Sequence, residues 1–206
     1  MPGSSHSCCG NVCDHIHESS EFEALSLLSS IDVNNISCLN EKINESGKTV
    51  FKPHNDRDSI DKFVESDADV ELLFNIPFTG IVKLTGITIA STEDGSHPKE
   101  VFLYKDRENM SFDSIPDKSD KDLQLAQTCE YPMFKLEQTR FSSIKHLSIY
   151  VKGNYGAEST RIHYIGLFGS FLSPFRNPVV ITNYEVTPNI TDHKHIIDQT
   201  NSSFIS

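Results

Sequence analysis

The chain has no tryptophan, only three methionines, and no long hydrophobic run. Without Trp, a sugar site loses its largest stacking surface, and the core has to be built on thirteen Phe with Ile, Leu and Val. No stretch of 18 or more apolar residues occurs, so no membrane-crossing helix is expected. Positive charge is scarce too. Eighteen Lys and Arg stand against 29 Asp and Glu, a formal net charge of -11. A body of that sign repels nucleic-acid backbones and anionic membranes, and long-range steering favours basic partners.

The usual catalytic strings are missing. There is no GxxxxGK[ST], no GxGxxG and no GxSxG. The nearest string, GLFGS at 166–170, reads as a kink inside a strand. Thiol redox chemistry needs a CxxC at a helix start, where the dipole lowers one thiol pKa. Here Cys8 and Cys9 are adjacent and Cys13 follows four residues later. With Cys38 and Cys129 the count is five, odd and clustered at one end, which is not a disulfide framework. The first thirty residues lack the basic start and apolar core of a signal peptide, so cytoplasm and nucleus are the expected compartments. The sequons at Asn35, Asn44, Asn109, Asn189 and Asn201 are then chance Asn/Ser pairs.

What is present is period-two patterning. A length of 206 residues suits one medium β domain. Residues 1–20 read as a flexible arm, and EFEALSLLSSI over 21–31 predicts a short helix. ISCLNEK over 36–42 predicts a turn or short strand. ADVELLFNIPF predicts a strand stopping at Pro77, and IVKLTGITIAS a second one with a bulge at Gly86. KEVFLYKD, LQLAQ, MFKLEQTRF, IKHLSIYVKG, the segment after NYGAES, and VVITNYEV supply the remaining strands. Turn signals separate them, and no helical stretch is long enough for a parallel crossover. The expected class is an all-β sandwich or jelly roll with a short N-terminal helix.

Metal ligands concentrate in HSCCGNVCDHIH. His6, Cys8, Cys9, Cys13, His15 and His17 are soft donors suited to zinc or copper(I). Their spacing matches no closed zinc module, so they stay weak candidates and no cofactor is expected. The acidic groups Asp56/Asp58/Asp61 and Glu65/Asp67/Asp69/Glu71 read as solvated loop charge.

Four segments carry a resemblance: FKPHNDRDSIDKFVESDADVELLFNIPFTGIVKLTGITI, DGSHPKEVFLYKDRENMSFD, HLSIYVKGNYGAESTRIHYIGLFG and ITNYEV. Together they resemble the PITH domain, the module that links some thioredoxin-like proteins to the proteasome. The likeness divides the chain into an arm (1–20), a PITH domain (21–190) and a tail (191–206). It implies a jelly roll of the galactose-binding-like kind. It further implies a non-catalytic module whose partners are proteins, namely 26S proteasome subunits; a monomer is expected, and the acidic charge leaves no nucleic acid or membrane as partner. The thioredoxin domain and its CxxC are missing, so redox activity is not carried over.

On a jelly roll the loop ends meet partners. The candidate contact residues are Asp67 and Asp69, His97, Asn154, Tyr155 and Arg161, with His193 and His195 in the tail. The competing readings are metal handling by the arm, a lectin-like loop cleft, and regulation of gene expression.

Overall fold

A 19-residue strand is the spine of the fold. In the computed structural model, which describes residues 25–128 and 130–175, nine strands follow in order. They are β1 (Ser37–Leu39), β2 (Val64–Glu65), β3 (Leu72–Ala90), β4 (Pro98–Lys105), β5 (Lys121–Gln124), β6 (Phe134–Lys135), β7 (Ile144–Asn154), β8 (Arg161–Ile162) and β9 (Tyr164–Pro174). The first half of β3 pairs antiparallel with β7, from Leu72↔Val151 to Pro77↔His146. Its second half pairs antiparallel with β9, from Gly80↔Pro174 to Ala90↔Tyr164. One layer therefore runs β1-β3-β7-β4-β5, while β9 and β6 flank the far half of β3. β2 and β8 form a separate two-stranded ribbon.

The apolar pattern explains how one strand serves both layers. Leu72, Phe74, Ile76, Val82 and Leu84 occupy even positions of β3, whereas Ile87 and Ile89 occupy odd ones, and all seven are buried in the same core. A strand alternates faces residue by residue, so this change of parity requires an inserted residue. The register between β3 and β9 slips at that place, between Leu84 and Gly86. Val101, Leu103, Leu147, Ile149 and Val151 close the core from β4 and β7.

A second apolar cluster lies on the opposite face of the first layer. Leu73, Tyr104, Met110 and Tyr150 are buried there, with Phe102, Phe112 and Ile115 packed against them. Phe102 and Tyr150 stack at 6.0 Å, and Phe112 meets Tyr150 edge-on at 6.3 Å. Asn75 holds the covering segment in place. Its amide donates to Met110 O (2.9 Å), and its carbonyl accepts from the Ser148 hydroxyl (2.9 Å).

Several expectations are corrected. The strand ending expected at Pro77 does not occur. β3 continues, because the proline falls where the β3–β7 ladder is already irregular and a missing N–H costs little. Of the helix expected over 21–31, residues 21–24 lie outside the described residues and Leu25 is helical, but the helix does not continue from Ser26 onward. A single 3-10 turn, Leu28–Ser30, is flanked by bridges Ser26↔Phe168 and Ile31↔Phe78 that tie the segment to the sandwich. Strand hydrogen bonds thus override a modest helical periodicity. MFKLEQTRF yields only the two-residue β6; after it a turn forms, with Phe141 N donating to Glu137 O. Four expectations lie outside the described residues: the 1–20 arm with its metal candidates, Cys129, the VVITNYEV strand, and the 191–206 tail with His193 and His195.

Candidate interaction site at the loop end

The loops joining the strands bring four of the sequence-predicted residues together. The 91–97 and 154–161 segments are laced by backbone bonds. Tyr155 N and Ala157 N both donate to Gly95 O (3.1 Å each), and Arg161 N donates to Ser96 O (3.0 Å). His97 is 2% exposed, so it is a packing residue and not a contact residue. Its ring meets Tyr155 edge-on at 6.1 Å, and its Nδ1 lies 2.8 Å from Pro98 O. Asn154 staples its own loop: the amide donates to Ala157 O (3.1 Å) and Ser159 O (2.9 Å). The Tyr155 hydroxyl donates to Leu125 O at 2.6 Å, and Lys99 Nζ stands over its ring at 5.8 Å.

Arg161 and the acidic segment meet on the β2–β8 ribbon. The guanidinium lies over the Phe63 ring at 4.6 Å, and Nη2 donates to Glu65 Oε2 at 3.2 Å. Glu65 also accepts from Lys42 (3.3 Å) and Ser159 (3.0 Å). Burial pushes its carboxyl up, but the hydrogen bonds from Ser159, Lys42 and Arg161 together hold it below the ordinary value. Glu65 is therefore a structural residue and not solvated loop charge. Asp67 and Asp69 are exposed on the turn that follows. That turn is fixed by Asn40, whose amide donates to Asp69 Oδ1 at 2.7 Å. Across the 91–97 loop, hydrogen bonds from the Ser96 hydroxyl and backbone N–H, with one from Thr92, keep the Asp94 carboxyl below its usual range.

Sequence reasoning missed a neighbouring cluster. Arg57 donates from Nη1 to His54 Nε2, and His54 Nδ1 lies 3.3 Å from Tyr164 Oη. Arg57 also lies over Tyr131 at 5.1 Å, and Tyr131 meets His163 edge-on at 6.4 Å. His163 is 6% exposed, and its Nε2 has no hydrogen-bond partner. His54 and Arg57 share one 3-10 turn, Tyr131 lies in a distant loop, and His163 and Tyr164 stand at the start of β9, so no single motif in the chain announces them.

Burial, and secondarily Lys52, lower the His163 pKa. The unfolded chain then binds a proton near pH 6.5 that the folded chain refuses. Stability from this group is complete above about pH 6.5 and is lost as pH falls from there toward the lower folded pKa. Urea unfolding between about pH 7.5 and 5.5 should show stability falling on acidification, with a flatter slope in His163→Phe. Equal slopes for the two proteins count against this assignment.

A further cavity lies on the outer face of β4, β5 and β7. It holds about 600 Å³ over Phe102, Tyr104 and Tyr150. Lys152 Nζ stands 6.0 Å from the Phe102 ring centre, and the 115–120 turn forms one wall. The Tyr104 hydroxyl donates to Pro116 O (3.3 Å) and that of Tyr150 to Glu71 Oε1 (2.8 Å). Among the described residues no group of three or more His, Cys, Asp or Glu is placed to hold a metal, and no helix is long and apolar enough to cross a membrane.

This arrangement of strands is a galactose-binding-like jelly roll. The described fold is similar to the CBM32-1 and CBM32-2 domains of Clostridium perfringens ZmpB solved with GalNAc. The TM-score is 0.56 at 14% identity, over 77% of this chain and 39% of that one. It is also similar to the family 32 carbohydrate-binding module of C. perfringens NanJ solved with galactose, with TM-score 0.51 and 8% identity over 70% and 98% of the two chains. At such identities the likeness concerns the fold alone.

Sequence takes the assignment further, and the chain belongs to the PITH domain family, whose model matches residues 17–188. It is 49% identical over 168 residues to PITH domain-containing protein 1 of Danio rerio, covering 80% of this chain and 79% of the relative. To PITH domain-containing protein 1 of Homo sapiens it is 46% identical over 165 residues, with 80% and 78% covered. To PITH domain-containing protein CG6153 of Drosophila melanogaster it is 43% identical over 196 residues, with 90% and 93% covered.

Proposed function

We propose that this chain is a non-catalytic protein-interaction module that associates, as a monomer, with the 26S proteasome or its cofactors in cytoplasm and nucleus. The observation that carries this reading is the PITH family match over residues 17–188, which takes in every strand described. The loop-end chemistry agrees with it. The polar groups of Asn154, Tyr155 and Glu65 are spent holding loops together, and no acid, base and nucleophile converge there. A net charge of -11 favours basic surfaces on the partner.

Purified 26S proteasome, immobilised and exposed to the recombinant chain at low salt, tests this directly. Saturable binding that weakens as salt rises is the expected result. No binding at low salt removes the proteasome as partner.

A further inference from the structure

The outer-face cavity combines an aromatic floor with walls that carry charge of both signs. Its floor is aromatic, and that floor belongs to one continuous cross-strand row. Leu73 pairs with Tyr150, Tyr150 with Phe102, and Phe102 with Asp122 on β5. Directly paired residues share a face, so the row leads from the buried second cluster out to the last strand of the layer.

Its walls are dense in charge of both signs. Lys118, Lys121, Arg140 and Lys152 supply four cations. Asp117, Asp120, Asp122 and Glu137 supply four carboxylates. None of these eight groups is in an ion pair, although ion pairs form elsewhere: Lys42–Glu65, Lys48–Glu45, Arg57–Asp58, His146–Glu108 and Arg161–Glu65. Two of the carboxylates are held apart by neutral donors, Asp120 by Lys105 N (3.0 Å) and Asp122 by the Ser119 hydroxyl. Arg140 donates from Nη1 to the Asp120 carbonyl. The pocket therefore keeps its opposite charges separated.

Separated charges of both signs around an apolar floor match one kind of occupant. A ligand of a single sign meets four repelling groups, and a neutral ligand pairs none of them. A volume of about 600 Å³ lies in the range of built ligand sites. We propose that this cavity binds an extended segment of a partner protein. That segment places an aromatic or aliphatic side chain against Phe102 and carries basic and acidic residues on either side of it. The site deepens the protein-interaction reading and rests on it, because it names the gripping face of the module.

The test has two arms, both using the full chain. In the first, fluorescent nine-residue peptides with a central Phe are titrated onto the wild type and onto a Lys121→Glu/Lys152→Glu variant. Their flanks are Lys and Glu together, Lys alone, Glu alone, or Ser. The mixed peptide should bind at least tenfold tighter than the others, and the variant should lose at least tenfold of that. Lys152 is exposed and Lys121 half-buried, and circular dichroism checks that the variant is folded. Equal binding of all peptides, or binding of neutral glycans on an array with no mixed-peptide binding, overturns the proposal.

In the second arm the same variant, and a loop-end Tyr155→Ala variant, are measured against purified 26S proteasome. Loss of at least tenfold in the pocket variant alone supports the site. Unchanged proteasome binding by the pocket variant, with no peptide binding in the first arm, discards the pocket and leaves the proteasome reading standing. Peptide binding without proteasome binding discards that partner and keeps the pocket.

Discussion

Gly169→Ala should destabilise the protein by about 3 kcal/mol, near the upper end of what an added methyl costs in a packed interior. A Cβ at this position sits 1.9 Å from the Lys83 carbonyl oxygen and 3.0 Å from its carbon. The obstacle is the backbone of the partner strand, at the pair Leu84↔Gly169. Unlike a side chain, it cannot rotate away, so β9 must shift against β3. For a protein of this size the loss corresponds to a fall in Tm of roughly 10 °C. Gly153→Ala is the control, since a Cβ there meets nothing within 4 Å. Differential scanning fluorimetry reads both variants, and a Tm change under about 2 °C for Gly169→Ala counts against the geometry.

The second large effect comes from a residue outside any strand. Phe141 lies between β6 and β7, yet it is 0% exposed and belongs to the main core. Its carbonyl accepts from Leu84 N at 2.9 Å, which pins the segment to the spine. Truncating a buried Phe to Ala removes its transfer energy and leaves a cavity, a loss of about 3 to 5 kcal/mol. Phe141→Ala should therefore be among the most damaging substitutions in this segment, measured as the shift of the urea midpoint. Ile43→Ala, at a side chain 66% exposed, should stay within about 0.5 kcal/mol. Comparable midpoints for the two variants mean that the segment does not plug the core.

Much of the fold was legible because sheet burial writes itself as alternation. KEVFLYK and IKHLSIYVKGN became β4 and β7 almost as bounded in the sequence, since their inward residues are the Val, Leu and Ile of the core. Gly86 marked the change of parity in β3. The errors came from features decided at long range. Ser26 and Ile31 are claimed by strand partners far along the chain, so EFEALSLLSSI is not helical beyond Leu25. Phe141 looked like one more strand residue, but its role depends on a turn closing at Glu137.

The site was less legible. Asn154, Tyr155 and Arg161 were expected at one loop end because the loops of a jelly roll gather there, and Tyr155 and Arg161 do bond to Gly95 and Ser96. That same reasoning placed His97 at a surface, whereas it is packed beneath Tyr155. Glu65 was hidden in a run of acids, and only its pairing with Arg161 across the β2–β8 ribbon separates it from them. The outer-face cavity was invisible, because the segment forming its wall reads as an ordinary polar loop until Tyr104 bonds to Pro116.

The shared spine has a consequence for how the molecule comes apart. A sandwich whose layers are joined only by loops can lose one sheet while the other persists. Here the same backbone carries the ladders to β7 and to β9, so fraying one layer pulls on amides that serve the other. Slow deuterium uptake should therefore extend over both paired halves of Leu72–Ala90, on either side of the break at Pro77, with both ends exchanging only through opening of the whole body.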